Sequence, residues 1–285
     1  MAIVRNLTLT GSDQRPFLLD VSYPANAPLR GRIVFVHGFK GFKDWGHWHL
    51  LAQKFVEAGY LFAKFNFSHN GTTPEAPEDF VDLEAFGNNN FSRELYDLQV
   101  VLDWLDRPQA AWAESADNSA PTVLIGHSRG GPIALLQAAA DERIRAVVTW
   151  ASVSQLDYAW PDEAFLKKWQ QTGSYSVVNG RTGQKMPLYY QLYEDYTAAG
   201  DRFNTRLAAQ ALRVPWLIVH GTADPAVPVE AAKTLHDFRP EAQLEWIEGA
   251  NHVFGGTHPF PEQELPAHSR QLAEVTLDFC QQALT

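Results

Sequence analysis

Three side chains in this sequence are of the types that together attack a carbonyl: Ser128, Asp224 and His252. Ser128 is the centre of Gly126-His127-Ser128-Arg129-Gly130, a G-x-S-x-G match directly after the apolar run Thr122-Val123-Leu124-Ile125. A serine on a sharp strand-to-helix turn projects its hydroxyl above the end of a sheet, and small neighbours let the backbone turn so tightly. A hydroxyl is a poor nucleophile at neutral pH, so it needs a neutral imidazole to take its proton. A carboxylate behind that imidazole fixes its tautomer and stabilises the imidazolium that forms. Asp224 lies in His220-Gly221-Thr222-Ala223-Asp224-Pro225, just past the apolar run Pro215 to Val219. His252 ends Glu248-Gly249-Ala250-Asn251-His252, just past the run Gln243 to Ile247.

A fourth component is a pair of donors for the oxyanion. Val36-His37-Gly38-Phe39 follows another apolar run, and its glycine lets the chain approach a bound acyl group. The backbone N–H of Phe39 supplies one donor and that of Arg129 the other; losing one such donor typically costs about 100- to 1000-fold in rate.

Each assignment has a plainer competitor. Ser128 is also a natural helix N-cap, and Asp224, before a proline, is also a turn starter. Asp157, after the run ending near Trp150, is the rival acid. Of the ten histidines, His37, His127 and His220 sit inside strand-end motifs and read as structural hydrogen-bonders. His258 and His268 come late for the loop after the last strand. His47, His49 and His69 lack a firm ligand spacing, so no metal is expected. Trp45, Trp48, Trp160 and Tyr189 are candidates to line a substrate pocket, with core packing the alternative. The lone Cys280 reads as a small apolar residue of the last helix.

The elements that position these residues follow from hydrophobic periodicity. Strands are expected over Ala2 to Thr10, Pro16 to Tyr23, Arg32 to Val36, Tyr60 to Phe65, up to Ser128, and Arg145 to Trp150. Two more follow at Pro215 to Val219 and Gln243 to Ile247. Continuous apolar runs mark strands buried on both faces, hence a mostly parallel sheet of about eight strands with helices on both faces. Helices are expected over Leu50 to Ala58, Ser92 to Leu105, the segment from Ser128 to about Ala140, Val229 to Phe238, and His268 to Ala283. Polar loops are expected over 68–90 and 107–120. The alternation breaks over 152–213, a segment rich in Trp and Tyr with a hairpin expected around Asn179-Gly180-Arg181-Thr182-Gly183. That segment reads as a cap inserted above the sheet of one domain, 1–285.

Composition narrows the function classes. The chain has 285 residues, 45% hydrophobic and 20% charged, which suits one sizeable α/β domain. A formal net charge of −10 argues against sequence-independent binding of nucleic acid or anionic membranes. No apolar stretch approaches the roughly 20 residues of a membrane span. One cysteine and no secretory leader favour the cytoplasm. The sequence leaves the oligomeric state open.

With these motifs in place the chain resembles serine hydrolases of the α/β-hydrolase fold, from about Arg32 to the C-terminus. The order Ser128, Asp224, His252 is the order of that fold. His37-Gly38-Phe39-Lys40-Gly41, Gly-His-Ser-Arg-Gly-Gly and His-Gly-Thr-x-Asp resemble small esterases, in the style of dienelactone-hydrolase-like, acyl-peptidase-like and feruloyl-esterase-like proteins. The resemblance implies cleavage of a small-molecule carboxylic ester through an acyl-enzyme, with no cofactor. A peptidase or amidase acting on short peptides is the alternative within the fold, and a non-catalytic binding protein the alternative outside catalysis.

Overall fold

The computed structural model describes residues 1–25, 27–107 and 120–284. The loop expected over 107–120 lies almost wholly outside the described residues. Among the described residues ten strands run β1 (Ala2–Thr10), β2 (Pro16–Tyr23), β3 (Gly31–Val36), β4 (Tyr60–Phe65), β5 (Thr122–His127), β6 (Ile144–Trp150), β7 (Ser174–Val178), β8 (Lys185–Tyr189), β9 (Trp216–Gly221) and β10 (Gln243–Ile247). Eight of them form one sheet in the order β1-β2-β4-β3-β5-β6-β9-β10. β1 and β2 pair antiparallel, as do β2 and β4; every pair from β4 to β10 is parallel.

Alternate residues of the central strands feed two separate cores, as the two-residue period of a strand requires. Val34 and Val36 of β3, Leu124 of β5 and Ile218 of β9 join one core. Ile33, Phe35, Val123, Ile125, Leu217 and Val219 join the other. Helix α3 (Phe91–Leu105) and helix α4 (Gly130–Ala140) cover the first face. Helix α1 (Trp48–Glu57) and helix α9 (Ala267–Ala283) cover the second. Helix α8 (Val229–Phe238) connects β9 to β10. Cys280 is fully buried on α9, and burial pushes its thiol up to about 12, so it packs as an apolar group. No helix among the described residues is long and apolar enough to cross a membrane.

Two segments differ from the sequence expectation. The stretch 68–90 is not all loop. It holds the short helix α2 (Leu83–Gly87), started by Asp82, whose carboxylate accepts from the Ala85 amide at 2.9 Å. Five residues are too few to show a helical period. In 152–213, helix α5 (Glu163–Thr172), the β7–β8 hairpin and helix α6 (Gln191–Ala199) associate through aromatic rings. Trp169 sits among Phe165, Tyr175 and Tyr190. The last helix there, α7 (Thr205–Ala211), instead packs on α4 and α8 and adds Ala208 and Ala209 to the first core.

Candidate active site

Ser128 stands between the end of β5 and the start of α4, with a left-handed φ of 55°. A non-glycine residue held there costs about 1–3 kcal/mol, and the surroundings must impose it. They do. The Ser128 amide donates to Trp150 O on the neighbouring strand at 2.9 Å, and Ser128 O accepts from the Gly131 amide at 3.0 Å. The glycines allow the close approach: a Cβ on Gly126 would lie 2.3 Å from Gly130 O, and one on Gly130 would lie 2.3 Å from Val36 O.

His252 Nδ1 donates to Asp224 Oδ2 at 2.8 Å. An ionised carboxylate only accepts, so Nδ1 carries the proton and Nε2 presents a lone pair. The other carboxylate oxygen, Oδ1, accepts from the Ala226 amide at 2.7 Å and the Val227 amide at 2.9 Å. Burial alone would raise the Asp224 pKa. The His252 hydrogen bond and charge, with the two amides, outweigh it and hold the carboxyl below its usual range. Asp157, the rival acid, interacts instead with Tyr196.

The histidines of the strand-end motifs serve the framework. His127 Nε2 lies 2.9 Å from the His252 backbone oxygen, and the two rings are 4.8 Å apart. Burial, and then the nearby His252, push His127 down to about 3, so it is neutral and its Nε2–H donates. His37 is held at about 4 by burial, and its Nδ1 lies 2.9 Å from Gly38 O. His220 Nε2 lies 3.0 Å from Val227 O, in the turn that supports Asp224. His258 Nδ1 accepts from the Gly46 amide at 2.9 Å. His47 meets Ser269 Oγ at 2.7 Å and His69 meets Ser68 Oγ at 2.8 Å.

The loop after β3 comes up against Ser128. A Cβ on Gly38 would lie 2.8 Å from Ser128 Cβ. Among the described residues, neither the Phe39 nor the Arg129 amide is tied to another backbone carbonyl. The Arg129 side chain packs between these parts. Its guanidinium carbon lies 4.4 Å from the centre of the Phe39 ring, and Nη2 donates to the buried Glu94 at 2.6 Å.

Ser128 and His252 line one cleft of about 250 Å³, together with Phe39, Trp45 and Trp48. Among the described residues no direct hydrogen bond joins Ser128 Oγ to His252; in substrate-free sites such bonds often tighten only in the complex. Trp160 and Tyr189 lie elsewhere. Trp160 packs on Trp169, Tyr193 and Tyr196, while the Tyr189 hydroxyl donates to Glu84 at 2.6 Å. The cleft wall also includes Lys40, Asn179 and Arg181, none of which sequence reasoning assigned to the site. The hairpin signal at 179–183 was present, but nothing local encodes where its turn reaches.

A family model described as the alpha/beta hydrolase family matches residues 33–264. Among solved structures, the esterase domain of a Rhodothermus marinus protein is similar with a TM-score of 0.65 and 17% identity, over 100% of both chains. Est1E from Butyrivibrio proteoclasticus, with ferulic acid bound, gives 0.67 and 17% identity over 98% of this chain and 99% of that one. Dienelactone hydrolase from Anabaena variabilis gives 0.61 and 15% identity over 99% of both. Identities this low carry the fold alone. With the family match over most of its length, the chain belongs to the alpha/beta hydrolase family.

Proposed function

We propose that the protein is a serine hydrolase that cleaves carboxylic esters through an acyl-enzyme, working as one domain capped by the part of 152–213 that precedes α7. The observation that carries this reading is that His252, bonded to the buried Asp224 at 2.8 Å, lines one cleft with a serine held in a left-handed turn. Ser128 Oγ attacks the ester carbonyl while His252 Nε2 takes its proton. The oxyanion is held by the amides of Phe39 and Arg129. The tetrahedral intermediate then collapses, the C–O bond to the alcohol breaks, and the imidazolium protonates the leaving oxygen. Water, deprotonated by the same nitrogen, attacks the acyl carbon and releases the acid and Ser128. No step asks for a cofactor.

Ser128→Ala tests the reading. Hydrolysis of p-nitrophenyl acetate or butyrate is expected to fall by about a millionfold in kcat, the scale seen when a triad nucleophile is removed. A fluorophosphonate probe is expected to label the native chain at Ser128 and not the variant. Retained turnover in the variant, or labelling elsewhere, overturns the assignment.

A further inference from the structure

The cleft at Ser128 is biased in charge. Among the described residues, its lining includes two basic side chains, Lys40 and Arg181, and no carboxylate. In a chain with 33 acidic residues against 23 Lys and Arg, this wall departs from the average surface. The two cations come from segments far apart in sequence. Lys40 follows Phe39 in the loop after β3, and Arg181 lies in the turn of the β7–β8 hairpin. Lys40 has no carboxylate partner among the described residues, and Arg181 has one only at the outer limit of an ion pair. Lys40 Nζ donates to a neutral acceptor, Val178 O, at 3.1 Å, which also ties the hairpin to the loop. Burial lowers the Lys40 pKa, the direction expected for an ammonium without a carboxylate partner. Arg181 Nη2 meets Asp79 only at 4.0 Å, and that carboxylate is 71% exposed to solvent. The turn itself is held firmly, because the Arg181 amide donates to Asn179 Oδ1 at 3.0 Å and the Asn179 amide to Gln184 O at 2.9 Å. A guanidinium fork so mounted suits a planar carboxylate, with the ammonium as a second point charge. A cleft of about 250 Å³ suits a short ester.

We propose that the preferred substrate is a short ester carrying a second, ionised carboxylate, bound by Lys40 and Arg181 while Ser128 attacks the ester carbonyl. This inference rests on the serine-hydrolase reading.

Two matched pairs test it by pH-stat at low salt. Monoethyl glutarate against ethyl valerate places the charge on the acyl side. 4-Acetoxybenzoate against phenyl acetate places it on the alcohol side. In at least one pair the charged member is expected to have a kcat/KM about ten- to a hundredfold higher, mainly through KM, as suits one charge-assisted contact. Raised salt is expected to shrink that ratio. Arg181→Met is expected to bring it close to one, and Arg181→Lys to restore part of it. Ser128-dependent hydrolysis of the neutral esters with no preference in either pair overturns the anionic-substrate proposal and leaves the hydrolase reading intact. An unchanged preference in Arg181→Met overturns the assignment of the anion site. Absence of Ser128-dependent hydrolysis of all four esters overturns both readings together.

Discussion

Two of the places where the molecule buries a carboxylate against a basic side chain differ in what is left unspent. Near the β2–β4 pair, Asp20 accepts from Lys43 at 3.0 Å and from Lys64 at 2.9 Å, and Asp44 accepts from the same two ammonium groups. Two negative and two positive groups are satisfied by one another. Burial would raise the Asp44 pKa, and the charges of Lys64 and Lys43 more than reverse that. Beside this cluster lies a cavity of about 500 Å³, against about 250 Å³ for the cleft at Ser128. At the other place the Asp224 carboxylate binds His252 Nδ1 at 2.8 Å, with His220 Nε2 farther off at 3.5 Å, and the far nitrogen of the neutral His252 ring has a lone pair to offer. Neither the number of buried charges nor the size of the neighbouring cavity therefore marks the site. What sets the proposed site apart is that His252, bound at Nδ1 alone among the described hydrogen bonds of its ring, lines a cleft with Ser128.

The sharpest way to break this contrast is at the acid. Asp224→Asn keeps the volume and lets an amide face Nδ1, so the imidazole is driven to the wrong tautomer. An ester kcat lower by about 10⁴-fold is expected, with the fold retained by circular dichroism. If Asp157→Asn proves the more damaging change, the dyad is misassigned. The converse experiment is Lys43→Met. It leaves buried carboxylates short of a partner, and urea unfolding is expected to show a loss of about 3–5 kcal/mol. The folded enzyme should keep its kcat. A large fall in kcat with stability unchanged would give the cluster a role in the chemistry.

The third test extends the contrast to imidazoles enclosed in the framework. Burial holds His37, His47 and His69 at about 4 and His127 at about 3, against the ordinary 6.5. Between those values the unfolded chain binds protons that the folded chain refuses. Stability is thus fully present above pH 6.5 and drains as pH falls toward 4. Asp97, raised to about 6 by burial against the amides of Ser12 and Ser68, works in the opposite sense. Four groups outweigh one, so Tm is expected to fall by several degrees from pH 7 to about 4.5. A Tm that holds level across that window would show these rings to be solvated.

What the sequence disclosed and what it hid have a common physical cause. Ile33–Val36, Val123–Ile125 and Leu217–Val219 were legible as strands because burial on both faces demands unbroken apolar runs. Once those strands were in place, the loops at their carboxyl ends could be named, which put Ser128, Asp224 and His252 near one another. The rest depended on contacts between distant segments. Asn179 and Arg181 reach the cleft because the hairpin leans on the loop carrying Lys40, and Asp82 starts a helix too short to show periodicity. Trp160 and Tyr189 were candidates by size alone. Their partners lie inside 152–213, on α2 and on α3, and neither ring lines the cleft.

The crowding at Gly126 and Gly130 also bears on how the protein can be altered. At both positions the first atom of any side chain would collide with a carbonyl oxygen, so neither glycine accepts a side chain. At Gly180, in the hairpin turn, an added Cβ would meet nothing within 4 Å. The molecule thus sets two glycines closed to substitution against a turn position with room for a side chain. Directed evolution aimed at new esters should leave residues 126–131 untouched and diversify the hairpin turn, where selectivity can drift without disturbing the chemistry.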